Sequence, residues 1–178
     1  IDGDTKELVN IVDTGFAVHI LRPSSSGRYF YSIGRDGKVT LIDLWMDKPD
    51  KVAEVKVANE ARSVETSKFE GFIDKYVIVG GYWQPMIIIM KGDTLEPLTA
   101  ASTSGYEIDN GEWVREARVA AIVADHHRPT WMVNIKETGQ VWTVNYSALG
   151  DGEGPIDIRI VRAERYLHDG GWDSSGRY

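Results

Sequence analysis

The sequence contains no cysteine, which excludes disulfides, thiolate zinc sites and a cysteine-attached haem within these residues. Positive charge is in short supply: 20 Lys and Arg stand against 27 Asp and Glu, a net charge of −7. Sequence-independent binding to a phosphate backbone needs a basic face, so nucleic acid is not an expected partner. No run of eighteen apolar residues exists, and none of the chain reads as a membrane span. The opening residues, IDGDTKELVN, carry neither an initiator Met nor a charged-then-apolar leader. Both ends read as cuts within a longer chain. A sustained 3.6-residue apolar pattern is also missing, which argues against stacked helices.

What the chain has instead is repetition. His19 to Tyr29 reads HILRPSSSGRY and His168 to Tyr178 reads HDGGWDSSGRY, while RYFYSIGRDGKVTLID, KYVIVGGYWQPMIIIM and TWMVNIKETGQVWTVN recur between them. The unit is about 45 to 55 residues long, a period typical of propellers, solenoids and arrays. Each unit resolves into four short β-branched or aromatic runs separated by Gly, Asp, Ser and Pro. In the first they are Phe16 to Leu21, Arg28 to Gly34, Lys38 to Leu44 and Lys51 to Val57, with Asp36-Gly37 as a tight hairpin turn. In the second they are Ala61 to Thr66, Tyr76 to Gly81, Pro85 to Met90 and Leu95 to Ser102. In the third they are Ala117 to Ala124, Trp131 to Lys136, Gln140 to Tyr146 and Ile156 to Val161. A short run at Glu7 to Asp13 reads as one more strand, and a fourth unit opens near Arg165.

Four short strands in tandem describe the blade of a β-propeller. The expected fold is therefore all-β: a partial propeller of about three four-stranded blades, at 16–57, 61–102 and 117–161. In such a fold the first strand of each blade is innermost. Aligning FAVH, NEAR, REAR and RYLH places His19, Arg62, Arg118 and His168 around one channel mouth, and aligning the second hairpins adds Arg35, Tyr82 and Glu137. A scaffold does not need ionisable groups at its innermost strand, where burial is costly. Arginines there suit an anionic ligand, which a guanidinium grips with two parallel hydrogen bonds. Histidines add a metal ligand or an acid and base near neutral pH. An anionic metal cofactor with several carboxylates satisfies both.

Other residues read more plainly. His126-His127 falls in the hairpin at the far side of a blade and reads as a solvated turn. Trp83, Trp131, Trp142 and Tyr146 read as core aromatics, and Gly34 and Gly80-Gly81 as hairpin glycines. Arg62 and Arg118 could instead pair with Glu60 and Glu116, and HDGG around His168 could be only a turn.

The strings GFAVH, YSIGRDGKVTLIDLW, EARSVETSK, VGGYW, RVAAI, VNIKETG and YLHDGGWDSS resemble the d1-haem domain of cytochrome cd1 nitrite reductases, over essentially the whole chain. The resemblance implies an eight-bladed propeller carrying haem d1, nitric oxide formation from nitrite in denitrification, and a periplasmic location. It implies that His19 is the proximal ligand of the d1 iron and that His168 is one of two distal histidines that protonate nitrite. Arg35, Arg62 and Tyr82 correspond to groups around the macrocycle, and Ala120 to a position packed against it. The family also implies a haem c domain upstream, a second distal histidine downstream, a small cytochrome c or cupredoxin as electron donor, and a homodimer. Related propellers act in haem d1 biosynthesis, which is the second reading; a propeller that binds only a protein partner is the third.

Overall fold

The computed structural model describes residues 1–178, and all of its regular structure is β-strand. Three antiparallel four-stranded sheets follow one another along the chain, each with its strands in sequence order. The first contains β1 (Val18–Pro23), β2 (Tyr29–Gly34), β3 (Lys38–Asp43) and β4 (Asp50–Lys56). The second contains β5 (Glu60–Thr66), β6 (Tyr76–Trp83), β7 (Met86–Lys91) and β8 (Pro97–Ser102). A two-stranded hairpin, β9 (Gly105–Tyr106) with β10 (Trp113–Val114), precedes the third sheet. That sheet comprises β11 (Val119–Ala124), β12 (Thr130–Ile135), β13 (Gln140–Asn145) and β14 (Asp157–Arg162). No helix is long and apolar enough to cross a membrane.

The sheets pack face to face as propeller blades, and the middle sheet shows why its sequence is so continuously apolar. Successive residues of a strand point to opposite faces. Val77 and Val79 of β6, with Ile88 and Met90 of β7, join the core shared with the first sheet. Tyr76 and Ile78, with Ile87 and Ile89, join the core shared with the third. A sheet covered on both sides has no polar face to show, so YVIV and IIIM lack alternation. Side-chain donors tie neighbouring sheets together: Tyr31 Oη donates to Gly92 O (2.7 Å), Tyr76 Oη to Gly150 O (2.6 Å) and Trp131 Nε1 to Thr66 O (3.0 Å). Burial pushes the Tyr31 phenol far above the ordinary tyrosine range, which keeps it a donor.

Several expectations from the sequence change here. Glu7 to Asp13 forms no strand, because no neighbouring strand runs beside it to complete a ladder; Leu8 and Ile11 are exposed. Arg165 to Tyr178 also contains no strand and lies along the third sheet. Trp131, Trp142 and Tyr146 are buried, but Trp83 is 46% exposed, since it follows the buried Tyr82 at the end of β6 and so faces the other way.

Gly37 sits at φ 75° and its N donates to Gly34 O (3.0 Å), while Asp36 does not adopt positive φ: the loop is the three-residue kind, a turn closed by a left-handed glycine, and not a two-residue primed turn. Gly80 is no hairpin residue: it pairs with Ile87 inside β6, and a Cβ there would run first into Val119 Cγ1 and lie 2.7 Å from Val119 Cβ. The glycine is what lets the second and third sheets approach. Gly80→Ala should therefore destabilise the full-length protein by about 1–3 kcal/mol, read from urea unfolding. Val119→Ala should cost less in that background than alone, because it removes the obstructing methyls; equal costs in both backgrounds would show that the two positions do not meet.

Candidate cofactor site at the channel mouth

The innermost strands share one irregularity. Register shifts between Val18 and Ile20 in β1, between Ala61 and Ser63 in β5, and between Val119 and Ile122 in β11. A bulge leaves residues out of the ladder and re-aims their side chains. The residues so released are His19, Arg62 and the pair Ala120-Ala121. All of them line one cleft of ≈ 180 Å³, together with Tyr82 and His168.

Strand pairing corrects the alignment drawn from the sequence. Val18 pairs with Gly34, Ala61 with Gly81 and Val119 with Ile135. The position equivalent to His19 and Arg62 is therefore Ala120, and Arg118 lies two residues earlier, outside the cleft. The same pairing puts Lys136, not Glu137, in the place of Arg35 and Tyr82. The motif NEAR resembles REAR in letters, but the bulge in β11 falls after the shared Arg instead of at it.

His19 is anchored by its ring. Its Nδ1 lies 3.0 Å from the carbonyl oxygen of Arg62. A carbonyl only accepts, so Nδ1 carries the proton and Nε2 keeps its lone pair. Metal-ligating histidines are commonly held this way, since the hydrogen bond at one nitrogen fixes both ring orientation and tautomer at the other. Ala120 provides a small, buried wall, with its carbonyl accepting from Ser63 Oγ. A flat ring system requires such a surface.

His168 reaches the same cleft from a segment without regular structure. Its carbonyl accepts from Ala121 N (3.0 Å) and Asn134 Nδ2 (3.3 Å), while its Nδ1 is 2.8 Å from Asp169 Oδ1. Asp169-Gly170 forms no turn, so a purely local turn does not account for the HDGG motif. His126 and His127 lie in the exposed β11–β12 connection, away from the cleft.

Around Tyr82 the cations gather. The guanidinium of Arg62 stands 4.6 Å from the ring centroid, that of Arg118 5.3 Å and the Lys136 ammonium 5.9 Å. Arg62 and Arg35 share one oxygen of Glu60, at 2.5 and 3.7 Å. Arg118 pairs with Glu137 at 2.5 Å, not with Glu116, and that hydrogen bond raises the guanidinium pKa further above its ordinary value. Lys136 has no carboxylate partner. The three arginines have two direct carboxylate partners, Glu60 and Glu137, while Glu116 acts on Arg118 through space and Asp169 lines the cleft. Such a group of donors fits an anionic, carboxylate-bearing ligand. Arg35, 54% exposed at its side chain, stands at the rim. Sequence reasoning missed Lys136 and Asp169; the register of β12 and the adjacency of Asp169 to His168 were the available signals.

Comparison with known proteins places the chain in a family. The family model described as "Cytochrome D1 heme domain" matches residues 1–178. A nitrite reductase of Stutzerimonas stutzeri is 49% identical over all 178 residues, which correspond to 31% of that protein. A dihydro-heme d1 dehydrogenase of Pseudomonas aeruginosa is 28% identical, across the whole chain and 33% of the relative. The chain thus spans about a third of the length of these relatives. Among solved structures, dihydro-heme d1 dehydrogenase NirN in complex with DHE superposes with a TM-score of 0.71 at 24% identity, covering 91% of this chain and 32% of that one. The periplasmic gluconolactonase PpgL of Pseudomonas aeruginosa gives the same TM-score at 12% identity, covering 92% and 48%. The second of these structures shares only the architecture. The family match runs through every bulge and hairpin that builds the cleft, and the chain belongs to the cytochrome D1 heme domain family.

Proposed function

We propose that this chain is the haem d1-binding part of a nitrite reductase that forms nitric oxide. The observation that carries the reading is the single cleft joining His19 and His168, in a chain 49% identical along its whole length to a nitrite reductase. The reaction consumes one electron and two protons: nitrite becomes nitric oxide and water. Bound haem d1 would supply the iron at which nitrite sits and through which the electron arrives.

The protein's own contribution follows from the residues. His19 would offer Nε2 to the iron, because Nδ1 is committed to Arg62 O. Arg62, Arg118 and Lys136, with Arg35 at the rim, would hold the carboxylates of haem d1, and Tyr82 and Ala120 would pack against it. The guanidiniums, held in place by Glu60 and Glu137, would meet the charge of such a ligand without reorganising. His168 donates a proton from Nε2 to a nitrite oxygen, with Asp169 at its other ring nitrogen.

Electron delivery belongs to parts outside these 178 residues: a haem c domain of the same polypeptide, fed by a small periplasmic cytochrome c or cupredoxin, with the whole enzyme a periplasmic homodimer. Similarity to a dihydro-heme d1 dehydrogenase supports a second reading, in which the same cleft binds the tetrapyrrole during its biosynthesis. His19→Ala in the full-length protein tests the site common to both. It should shift the visible absorption bands of the bound haem d1; an unaltered spectrum would remove His19 as the ligand. Nitrite turnover by the unmodified protein then separates the readings, since the biosynthetic protein would show none.

A further inference from the structure

His168 is carried by a segment with no ladder of its own, and something must hold it. Two backbone bonds fasten its approach: Ala163 N donates to Gly139 O (3.0 Å) and Tyr166 N to Lys136 O (2.8 Å). Between them stands Arg165. Its Nη1 lies 3.0 Å from Glu107 Oε1, its Nε donates to the Glu137 carbonyl (3.2 Å) and its Nη2 to Tyr166 Oη (2.8 Å). The stem of Arg165 lies over Gly139, where an added Cβ would be 3.1 Å from its Cγ.

Glu107 belongs to the small β9–β10 hairpin, and its side chain is only 6% exposed. No other side chain or amide satisfies that carboxylate. A buried carboxylate with one partner is held closed, because opening the pair would leave an uncompensated charge. The hairpin is in turn fixed to the β12–β13 turn through Ile108 N to Thr138 O (3.0 Å) and Gln140 Nε2 to Tyr106 O (2.9 Å). Glu137, whose carbonyl receives Arg165, spends its carboxylate on Arg118 at the cofactor mouth. The hairpin, the turn and the His168 segment therefore meet at a single guanidinium.

We propose that Arg165, clamped by Glu107, is a positioning residue that sets the depth of His168 in the cleft. This rests on the reading of His168 as the proton donor. Two residues, Tyr166 and Leu167, separate Arg165 from His168, and the far end of that span is fastened by Ala121 N to the His168 carbonyl. Without the guanidinium the approach hangs on the Tyr166 N–Lys136 O bond and on the His168 carbonyl, which leaves the ring room to move out of line with the bound oxyanion. Proton transfer depends on that line: a displacement near 1 Å can cost about 100-fold, and partial release should cost about 10-fold.

The test compares full-length wild type, Arg165→Met, Glu107→Gln, His168→Ala and the Arg165→Met/His168→Ala double variant. For each, haem d1 content is read from its absorption bands, and kcat and KM for nitrite are measured. Arg165→Met and the near-isosteric Glu107→Gln should each retain the chromophore and lose about 10-fold in kcat with little change in KM. In the His168→Ala background Arg165→Met should cost nothing further, because the group it positions is gone. The same loss in both backgrounds, an unchanged kcat in both single variants, or loss of haem d1 in both overturns the positioning role. An unchanged kcat in His168→Ala would instead overturn the assignment of His168, and with it this proposal.

Discussion

Replacing His168 by alanine in the full-length protein is expected to leave haem d1 bound and to slow nitrite turnover by ~100- to 10,000-fold, the usual worth of a general acid. The retention of cofactor follows from how the residue is attached. What fixes His168 to the blade is its carbonyl, which accepts from Ala121 N and Asn134 Nδ2, and truncation at Cβ leaves the carbonyl in place. Its Nδ1 meets only Asp169, so the cations around Tyr82 lose no partner. The loss should fall on kcat, because the imidazole proton matters most as the nitrite N–O bond breaks. His168→Gln, which keeps a hydrogen-bond donor but cannot give up a proton at neutral pH, should bind nitrite better than the alanine variant while turning over no faster than a few-fold above it. Full turnover in His168→Gln would show that hydrogen bonding alone suffices.

Why the cleft was partly readable in advance is a matter of local signals. His19 and Arg62 stand out because a charged group interrupts an apolar innermost strand, and both sit at bulges that the structure repeats from blade to blade. The hairpin glycine Gly37 and the doubly covered runs of β6 and β7 were equally legible, since turn chemistry and two-sided burial leave marks on composition. Register is different. Whether Ala120 or Arg118 matches His19 depends on where β11 bulges, and that is decided by packing against β5 and by Lys136 N bonding Arg118 O. Nothing in REARVAAI announces it. The β9–β10 hairpin escaped for another reason: its strands are two residues long and its aromatic pair, Tyr106 and Trp113, faces solvent. No apolar period can reveal an element that buries so little. Its one buried charge, Glu107, acquires meaning only through Arg165, far along the chain.

The largest expected effect on stability belongs to Trp131→Ala. Trp131 is fully buried in the core between the second and third sheets, with its ring centroid 4.2 Å from that of Tyr146. Its Nε1 donates across the blade interface to Thr66 O at 3.0 Å. Truncation therefore combines a large cavity with a buried carbonyl that loses its donor. Phe and Trp truncations in cores cost about 3–5 kcal/mol, and the lost interblade hydrogen bond places this one towards the upper end. Trp131→Phe should recover most of the packing but not the bond, and so separates the two contributions: its cost should be near 1–2 kcal/mol. Trp113→Ala supplies the contrast. Trp113 is 58% exposed and touches chiefly Tyr106, so its removal should cost under about 1 kcal/mol. Urea unfolding of the full-length variants, followed by intrinsic fluorescence, measures all three. Comparable losses for Trp131→Ala and Trp113→Ala would mean that the interface between these blades is not where the stability resides.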